Sequence, residues 1–199
     1  YGIIHQLSGR LLYYPSDFEL KEINKKKKNY SRNYKVIAVM RFLPENNIET
    51  IVDTFVELKK QNINNHTLYL VGNENDYFRE TIKPKIIDLK NIIFLGPIYN
   101  RNELYDLWSS SDYYIHGHSV GGTNPTLIEA ISLKLPIIAY NCSFNKKVLG
   151  VGGLFFKNSK ELLEMIKSEK FVDQNLNIDF NLFKKDFINE QYIELIKSP

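Results

Sequence analysis

The chain has 199 residues, of which 43% are apolar, enough to bury a core and to exclude a disordered polypeptide. Its 26 basic residues against 23 acidic ones leave a net charge of +3, too mild for the concentrated basic face that nucleic acid requires. The lone cysteine, Cys142, excludes an internal disulfide and suits a reducing, cytoplasmic setting, and no apolar run approaches the roughly 20 residues that cross a bilayer.

The chain opens on Tyr1 rather than methionine, as expected of a piece of a longer protein. Lys25 to Lys28, followed by Asn29, Tyr30, Ser31, Arg32 and Asn33, reads as a solvated loop; a peripheral contact with anionic lipid is the alternative. From there on, short apolar segments alternate with amphipathic ones. The predicted strands are Lys35–Val39, Thr67–Val71, Asn91–Leu95, Tyr113–His116, Pro136–Tyr140 and Leu154–Phe156, β-branched or aromatic and mostly apolar throughout. The predicted helices are Ile48–Gln61, Tyr77–Leu89, Arg101–Ser110, Pro125–Leu133 and Ser159–Lys167; in the first, Ile48, Ile51, Val52, Phe55 and Leu58 recur at helical spacing. Residues from Phe180 to Ile196 read as a last amphipathic helix, with Phe180, Phe183, Phe187 and Tyr192 along one side. It covers the core or reaches across to a second domain, and the pattern allows both. Strict alternation predicts one α/β domain over residues 1–199, a Rossmann-like parallel sheet with helices on both faces.

In that topology the loops after the strands share one edge. The most informative of them follows Tyr113–His116 and runs Gly117-His118-Ser119-Val120-Gly121-Gly122-Thr123-Asn124-Pro125. Asn124 suits a helix cap and Pro125 the first turn. Gly121 and Gly122 let a ligand approach the backbone, and the helix start is expected to offer free N–H groups to a diphosphate. Arg41 sits just beyond the first strand, where a forked guanidinium reaches two phosphate oxygens; an ion pair with Glu45 is the alternative. Glu129, little more than one turn into the helix, can accept hydrogen bonds from ribose hydroxyls. The exposed backbone of Gly96, Pro97 and Ile98 can meet a base. His116 and His118 flank a glycine at the strand end without the spacing of a zinc site. The Gly72-Asn73-Glu74-Asn75-Asp76 loop lacks the spacing of a calcium loop. Neither a phosphate-loop Gly-x-x-x-x-Gly-Lys-Ser/Thr nor a Gly-x-Gly-x-x-Gly after the first strand is present, so NTPase and nicotinamide dehydrogenase readings lose their support.

These residues resemble a known family. The span from Arg41 to Phe156 is similar to the C-terminal, donor-binding half of GT-B glycosyltransferases of glycosyltransferase family 4, most narrowly the bacterial rhamnosyltransferases of capsule and cell-wall polysaccharide synthesis. The matching strings run from Arg41 to Ile48, Val71 to Asn73, Ile93 to Gly96, His116 to Pro125, Leu127 to Ala130, and Phe144 to Asn145. The resemblance implies that Arg41 sits on the donor diphosphate and that Gly121, Gly122, Thr123 and Asn124 cradle phosphate and sugar. It implies that Glu129 holds the ribose and that Gly96 to Ile98 border the base. Asn46 stands where many members of the broad family carry lysine, and it joins His116 and His118 among the expected donor-binding residues. Gly121 stands where many carry a first glutamate, and Lys147 where an acidic residue is expected.

The implied activity is that of a retaining glycosyltransferase that needs no metal and no cofactor beyond its donor, a nucleoside-diphosphate sugar, with dTDP-rhamnose the first candidate. Arg41 and the N–H groups of the glycine turn would stabilise the departing diphosphate. Tyr1-Gly2 resembles the crossover into the second GT-B domain, so an N-terminal acceptor-binding domain, on the same or a partner polypeptide, is expected to complete the enzyme. A lipid-linked saccharide is the expected acceptor, and this chain alone is expected to be inactive. A non-catalytic nucleotide-sugar module serving a separate chain and a GT-B-fold epimerase are the alternatives.

Overall fold

The computed structural model describes residues 33–174, 178 and 180–197; the Lys25–Lys28 run and the Tyr1-Gly2 pair lie outside the described residues. Six strands make one parallel sheet: β1 (Tyr34–Val39), β2 (His66–Val71), β3 (Ile92–Gly96), β4 (Tyr113–His116), β5 (Ile137–Tyr140) and β6 (Leu154–Phe156), in the order β3-β2-β1-β4-β5-β6. β1 is central. It pairs with β2 from Tyr34 opposite His66 to Val39 opposite Val71, and with β4 at Val36 opposite Tyr113 and Ile37 opposite Tyr114.

The period of two along each strand divides the core between the two faces. Val36 and Ala38 join one cluster, together with residues of α1 (Ile48–Lys60), Ile86 of α2 (Lys83–Ile86) and Leu162, Leu163 and Ile166 of α6 (Ser159–Lys167). Ile37 points the other way, into a cluster with Trp108 of α3 (Arg101–Ser109), residues of α4 (Pro125–Ser132), and Val148 and Leu149 of α5 (Ser143–Leu149). Helices therefore cover both faces, as the alternation predicts. Among the described residues no helix is long and apolar enough to cross a membrane.

Four features differ from the sequence expectation, each for a local reason. The predicted Tyr77–Leu89 helix passes through a π-helical stretch, Phe78–Ile82, and stops at Ile86. Pro84 has no N–H to give to the carbonyl four residues back, and the Lys83 N–H reaches five back, to Phe78. The predicted Phe180–Ile196 helix is two elements, a 3₁₀ turn at Phe180–Phe183 and α7 (Lys185–Lys197). Phe183 is buried in the α4 cluster while Tyr192 is 46% exposed, so the two do not share one buried stripe. Ile193 and Ile196 of α7 are also exposed. The short helix α5 was not predicted, because seven residues cannot display a helical period. Strand β3 is not buried on both sides: Phe94 packs on Phe78 and Phe42, whereas Ile93 and Leu95 on its other face are 36% and 41% exposed. Being an edge strand, β3 is covered on one face only.

At the opposite end of the sheet from the strand-end loops, His66 is buried at the start of β2. It stacks on Tyr34 at 4.8 Å between centroids, and its Nδ1 meets the Tyr113 hydroxyl at 3.1 Å. Burial pushes its pKa from 6.5 down to about 4. The unfolded histidine takes up a proton below its ordinary pKa while the folded one stays neutral. Its contribution is therefore intact above pH 6.5 and is lost as the pH falls from there toward 4. Urea unfolding at about pH 5 should show a loss of roughly 2 kcal/mol from this group relative to pH 7. His66→Phe, which keeps an aromatic ring in the stack, should shrink that acid-dependent loss; an unchanged loss would contradict the assignment.

Candidate functional site

From β1 the chain builds the sheet toward β3, then crosses back to β4 on the other side of β1. The loops that leave β1 and β4 therefore turn away from each other and open a crevice at the carboxyl edge. A cavity of about 370 Å³ occupies it. Its walls come from the β1 loop (Met40, Arg41, Asn46), the β2 loop (Gly72, Asn73), the β3 loop (Pro97, Ile98), the end of β4 and its loop (His116, Gly117, His118), and the start of α4 (Asn124, Pro125, Thr126).

The β1 and β4 loops are held together by side chains bonded to backbone. The Asn46 amide donates from Nδ2 to the Arg41 carbonyl at 2.7 Å, while its Oδ1 meets His118 Nδ1 at 2.7 Å. The neighbouring Asn47, in the left-handed region at φ 51°, donates to the Gly117 carbonyl at 2.8 Å. Ser119 returns the contact, its Oγ donating to the Glu45 carbonyl at 2.6 Å. From α5, Asn145 donates to the carbonyls of His118 and Tyr140 at 3.0 and 2.9 Å, which gives the Phe144-Asn145 string a structural role. Gly72 and Gly117 were not singled out from the sequence. A Cβ on Gly117 would collide with the Asn46 backbone oxygen, and one on Gly72 with that of Met40. Both lie inside strings that carry the family resemblance, Val71 to Asn73 and His116 to Pro125, but a glycine directly after a strand is common and neither was given a role.

Asn124 caps α4 as expected, its Oδ1 accepting from the Thr126 N–H at 3.0 Å and from the Thr126 hydroxyl at 2.8 Å. The same residue also accepts, at its carbonyl, from the N–H groups of Leu127 and Ile128. This corrects the expectation that the helix start offers free donors: its first donors are already engaged by the cap. The donors left at this end belong to the turn before it, at exposed Gly121 and Gly122 and half-buried Thr123. Gly121 stands at φ 87°, the region where glycine is favoured.

The two histidines differ in setting. His116 is 2% exposed, its Nδ1 is 2.7 Å from the Tyr114 hydroxyl, and its Nε2 is buried with no hydrogen-bond partner among the described residues. Burial, with a smaller push from His118, takes its pKa down to about 3, so it is neutral at ordinary pH. His118 is half-buried; desolvation and then the Arg41 charge lower its pKa, against a smaller opposing effect of Glu45. Burial also raises the pKa of Tyr114, so its hydroxyl keeps its proton. Arg41 is exposed at the cavity rim, and the alternative ion pair with Glu45 is not formed among the described residues.

Of the residues expected at the site, Arg41, Asn46, Pro97, Ile98, His116, His118 and Asn124 all line the cavity. Gly96, Gly121, Gly122, Thr123 and Glu129 do not line it; Glu129 is half-buried on α4, one turn from Thr126. Thr126, which bridges Asn124 and Tyr114, was missed because an isolated threonine in a first helical turn carries no signal of its own.

Residues 20–172 match the family described as glycosyl transferases group 1. A comparison with curated proteins finds no match. Among solved structures, Anabaena Alr3699/HepE in complex with UDP and glucose superposes with a TM-score of 0.69 at 19% identity, over 85% of this chain and 49% of that one. The lipopolysaccharide outer core galactosyltransferase WaaB gives a TM-score of 0.69 at 12% identity, over 98% and 58%. The C-terminal domain of the group 1 family protein LpcC from Francisella tularensis gives 0.58 at 19% identity, over 91% and 96%. The chain thus spans about half the length of the first two and nearly all of an isolated C-terminal domain. At these identities the likeness is one of fold, the Rossmann-like domain of GT-B glycosyltransferases.

The contact between the two loops generates a prediction. Gly117→Ala forces a methyl group against the Asn46 carbonyl and should cost about 1–3 kcal/mol of stability. Gly122→Ala, where the space beyond Cα is open, should change stability by less than about 0.5 kcal/mol. Urea unfolding of both variants checks this, and equal stability of the two would contradict the loop geometry.

Proposed function

Because the chain belongs to the glycosyl transferases group 1 family, we propose that it is the donor-binding half of a glycosyltransferase and holds a nucleoside-diphosphate sugar in the crevice between the β1 and β4 loops. The observation that carries this reading is the meeting, at one cavity on the sheet's switch point, of an exposed guanidinium at Arg41 with the end of β4 and the start of α4, His116 to His118 and Asn124 to Thr126; the glycine turn that joins the two lies just outside the lining. Such an arrangement suits a diphosphate: the guanidinium fork supplies charge, the turn supplies N–H donors, and the dipole of α4 has its positive end there.

In this reading the base lies against Gly96, Pro97 and Ile98, the ribose is held by Glu129, and the turn Gly121-Gly122-Thr123-Asn124 borders phosphate and sugar. Asn46 acts through position, since both ends of its amide are engaged within the protein. The group that leaves in sugar transfer is the nucleoside diphosphate. Negative charge grows on its oxygens as the glycosidic bond breaks, and Arg41 with the turn N–H groups stabilises that charge without calling on a metal. Transfer with retention from dTDP-rhamnose is the first specific reaction to test, on the strength of the His116 to Pro125 string. A lipid-linked saccharide at the cytoplasmic face of a bacterial membrane is the acceptor class that goes with it.

The chain spans about half of HepE and WaaB, so the acceptor side of the cleft is assigned to a further domain on the same or a partner polypeptide. Bringing that domain over the donor would position the reacting groups and exclude water, effects that can account for several kcal/mol of a barrier. The 199-residue chain by itself should therefore bind nucleotide sugar and transfer nothing, as read by mass spectrometry of lipid-linked acceptors; robust turnover would contradict this division of labour.

Two variants test the donor contacts. Arg41→Ala should weaken nucleoside-diphosphate binding by about 1.5–3 kcal/mol, the scale of a charged hydrogen bond, and leave the fold intact. Glu129→Gln should weaken binding of a ribonucleotide more than that of its 2′-deoxy form. Titration calorimetry with UDP, dUDP and dTDP reads both; unchanged affinities throughout would remove the two residues from the site. Chelation by EDTA should leave these affinities unaltered.

A further inference from the structure

Three hydrogen bonds run in series through residues at the cavity wall, with Tyr114 behind them. Thr126 Oγ1 is 2.8 Å from Asn124 Oδ1, Tyr114 Oη is 2.9 Å from Thr126 Oγ1, and His116 Nδ1 is 2.7 Å from Tyr114 Oη. Each contact needs one proton, and the supply can be counted. Asn124 Oδ1 already accepts from the Thr126 N–H, which identifies it as the oxygen end of the amide, so the threonine hydroxyl must donate to it. With its only proton spent, Thr126 Oγ1 can meet Tyr114 only as an acceptor, and the tyrosine hydroxyl must donate. Tyr114 then has no proton left for His116, so the third contact is made only if His116 Nδ1 carries a hydrogen and donates it. Reversing the direction would leave the Thr126 to Asn124 contact without a proton. The neutral state of His116 follows from its burial. Its second nitrogen, Nε2, is then a bare lone pair, buried without a partner among the described residues, on a residue that lines the cavity.

A lone pair is the wrong partner for a phosphate, whose oxygens carry no proton to give near neutral pH. It is the right partner for a hydroxyl. The order of the strands says which one. Neighbouring strands lie about 4.8 Å apart, so the loops after β3 and β4, three strand spacings apart, are separated by roughly 14 Å. With the base at the β3 loop and the diphosphate at Arg41 after β1, the end of β4 falls beyond the diphosphate, on the side of the sugar.

We propose that His116 is a specificity residue that accepts, at Nε2, a hydrogen bond from a hydroxyl of the transferred sugar, its tautomer fixed by the Asn124–Thr126–Tyr114 chain. The proposal rests on the donor-site reading above and adds the polarity of the contact: this position selects a hydroxylated sugar and contributes nothing to the bare nucleotide. Tyr114 and Thr126 are positioning residues, because they act through His116.

The test uses the 199-residue chain with UDP, UDP-glucose, dTDP and dTDP-rhamnose as probes, in the wild type, His116→Phe and Tyr114→Phe. The wild type should bind at least one sugar nucleotide more tightly than the matching diphosphate. Both variants should lose that gain, about three- to tenfold in Kd for one neutral hydrogen bond, and bind the diphosphate as the wild type does. In wild-type protein, long-range ¹H–¹⁵N spectra near pH 7 should show a protonated Nδ1 and a bare Nε2 for His116; in Tyr114→Phe that preference should weaken, a change that a merely structural role would not produce. Loss of diphosphate affinity in His116→Phe, a sugar gain that survives in both variants, no sugar gain in the wild type, or the opposite tautomer overturns this proposal alone. Failure of the wild type to bind any of the four probes overturns the donor-site reading, and this proposal with it.

Discussion

The site depends on one close contact, the backbone of Gly117 pressed against the carbonyl of Asn46. A β1 loop and a β4 loop that diverge at a switch point have no reason to stay at a fixed separation, because no strand pairing links them beyond the sheet edge. Here the separation is set by the absence of a Cβ at Gly117 and held by hydrogen bonds from Asn46, Asn47 and Ser119. Each uses a short side chain bonded to a loop carbonyl or ring nitrogen, so the two loops behave as one rigid rim. Arg41 stands on that rim, and His118 is fixed within it. The sheet decides where a crevice forms; this contact decides how wide it is.

The polar groups of the site divide by sign. Toward β1 stands a cation, Arg41, exposed and at the cavity mouth. Toward β4 stand neutral groups, His116 held uncharged by burial and Tyr114 kept protonated by the same cause. A ligand with an anionic centre and a hydroxylated end fits that division, which is why the nucleoside-diphosphate sugar reading draws more from the electrostatics than from the shape of the cavity. The cap at Asn124 engages the first donors of α4, so in the proposed reading anion binding falls to the glycine turn; the same cap is hydrogen-bonded through Thr126 and Tyr114 to His116.

Much of the fold was legible in the sequence because its strands are short apolar runs and its larger helices carry a clear period. Tyr113–His116, Leu154–Phe156 and Ser159–Lys167 were read to the residue. The misread segments are those where local context overrides or hides a pattern: Pro84 in the second helical segment, Phe183 before α7, the edge position of β3, and the seven residues of α5. The lining of the candidate cavity was legible where chemistry marks a residue, as at Arg41, Asn124 and the two histidines. It was not legible where a residue matters by what it lacks or by its partner in space. Gly117 and Gly72 matter for the missing Cβ, and Thr126 for a contact with Tyr114 that lies 12 residues back in the chain.

In the proposed function the carboxyl-edge crevice between β1 and β4 receives a nucleoside diphosphate. Backbone amide spectra of the ¹⁵N-labelled chain, recorded while UDP or dTDP is added, test this. Shifts should concentrate in four loops: Met40 to Asn47, Gly72 and Asn73, Gly96 to Ile98, and Gly117 to Thr126. Saturable shifts confined to another surface, or none with either nucleotide, would contradict it.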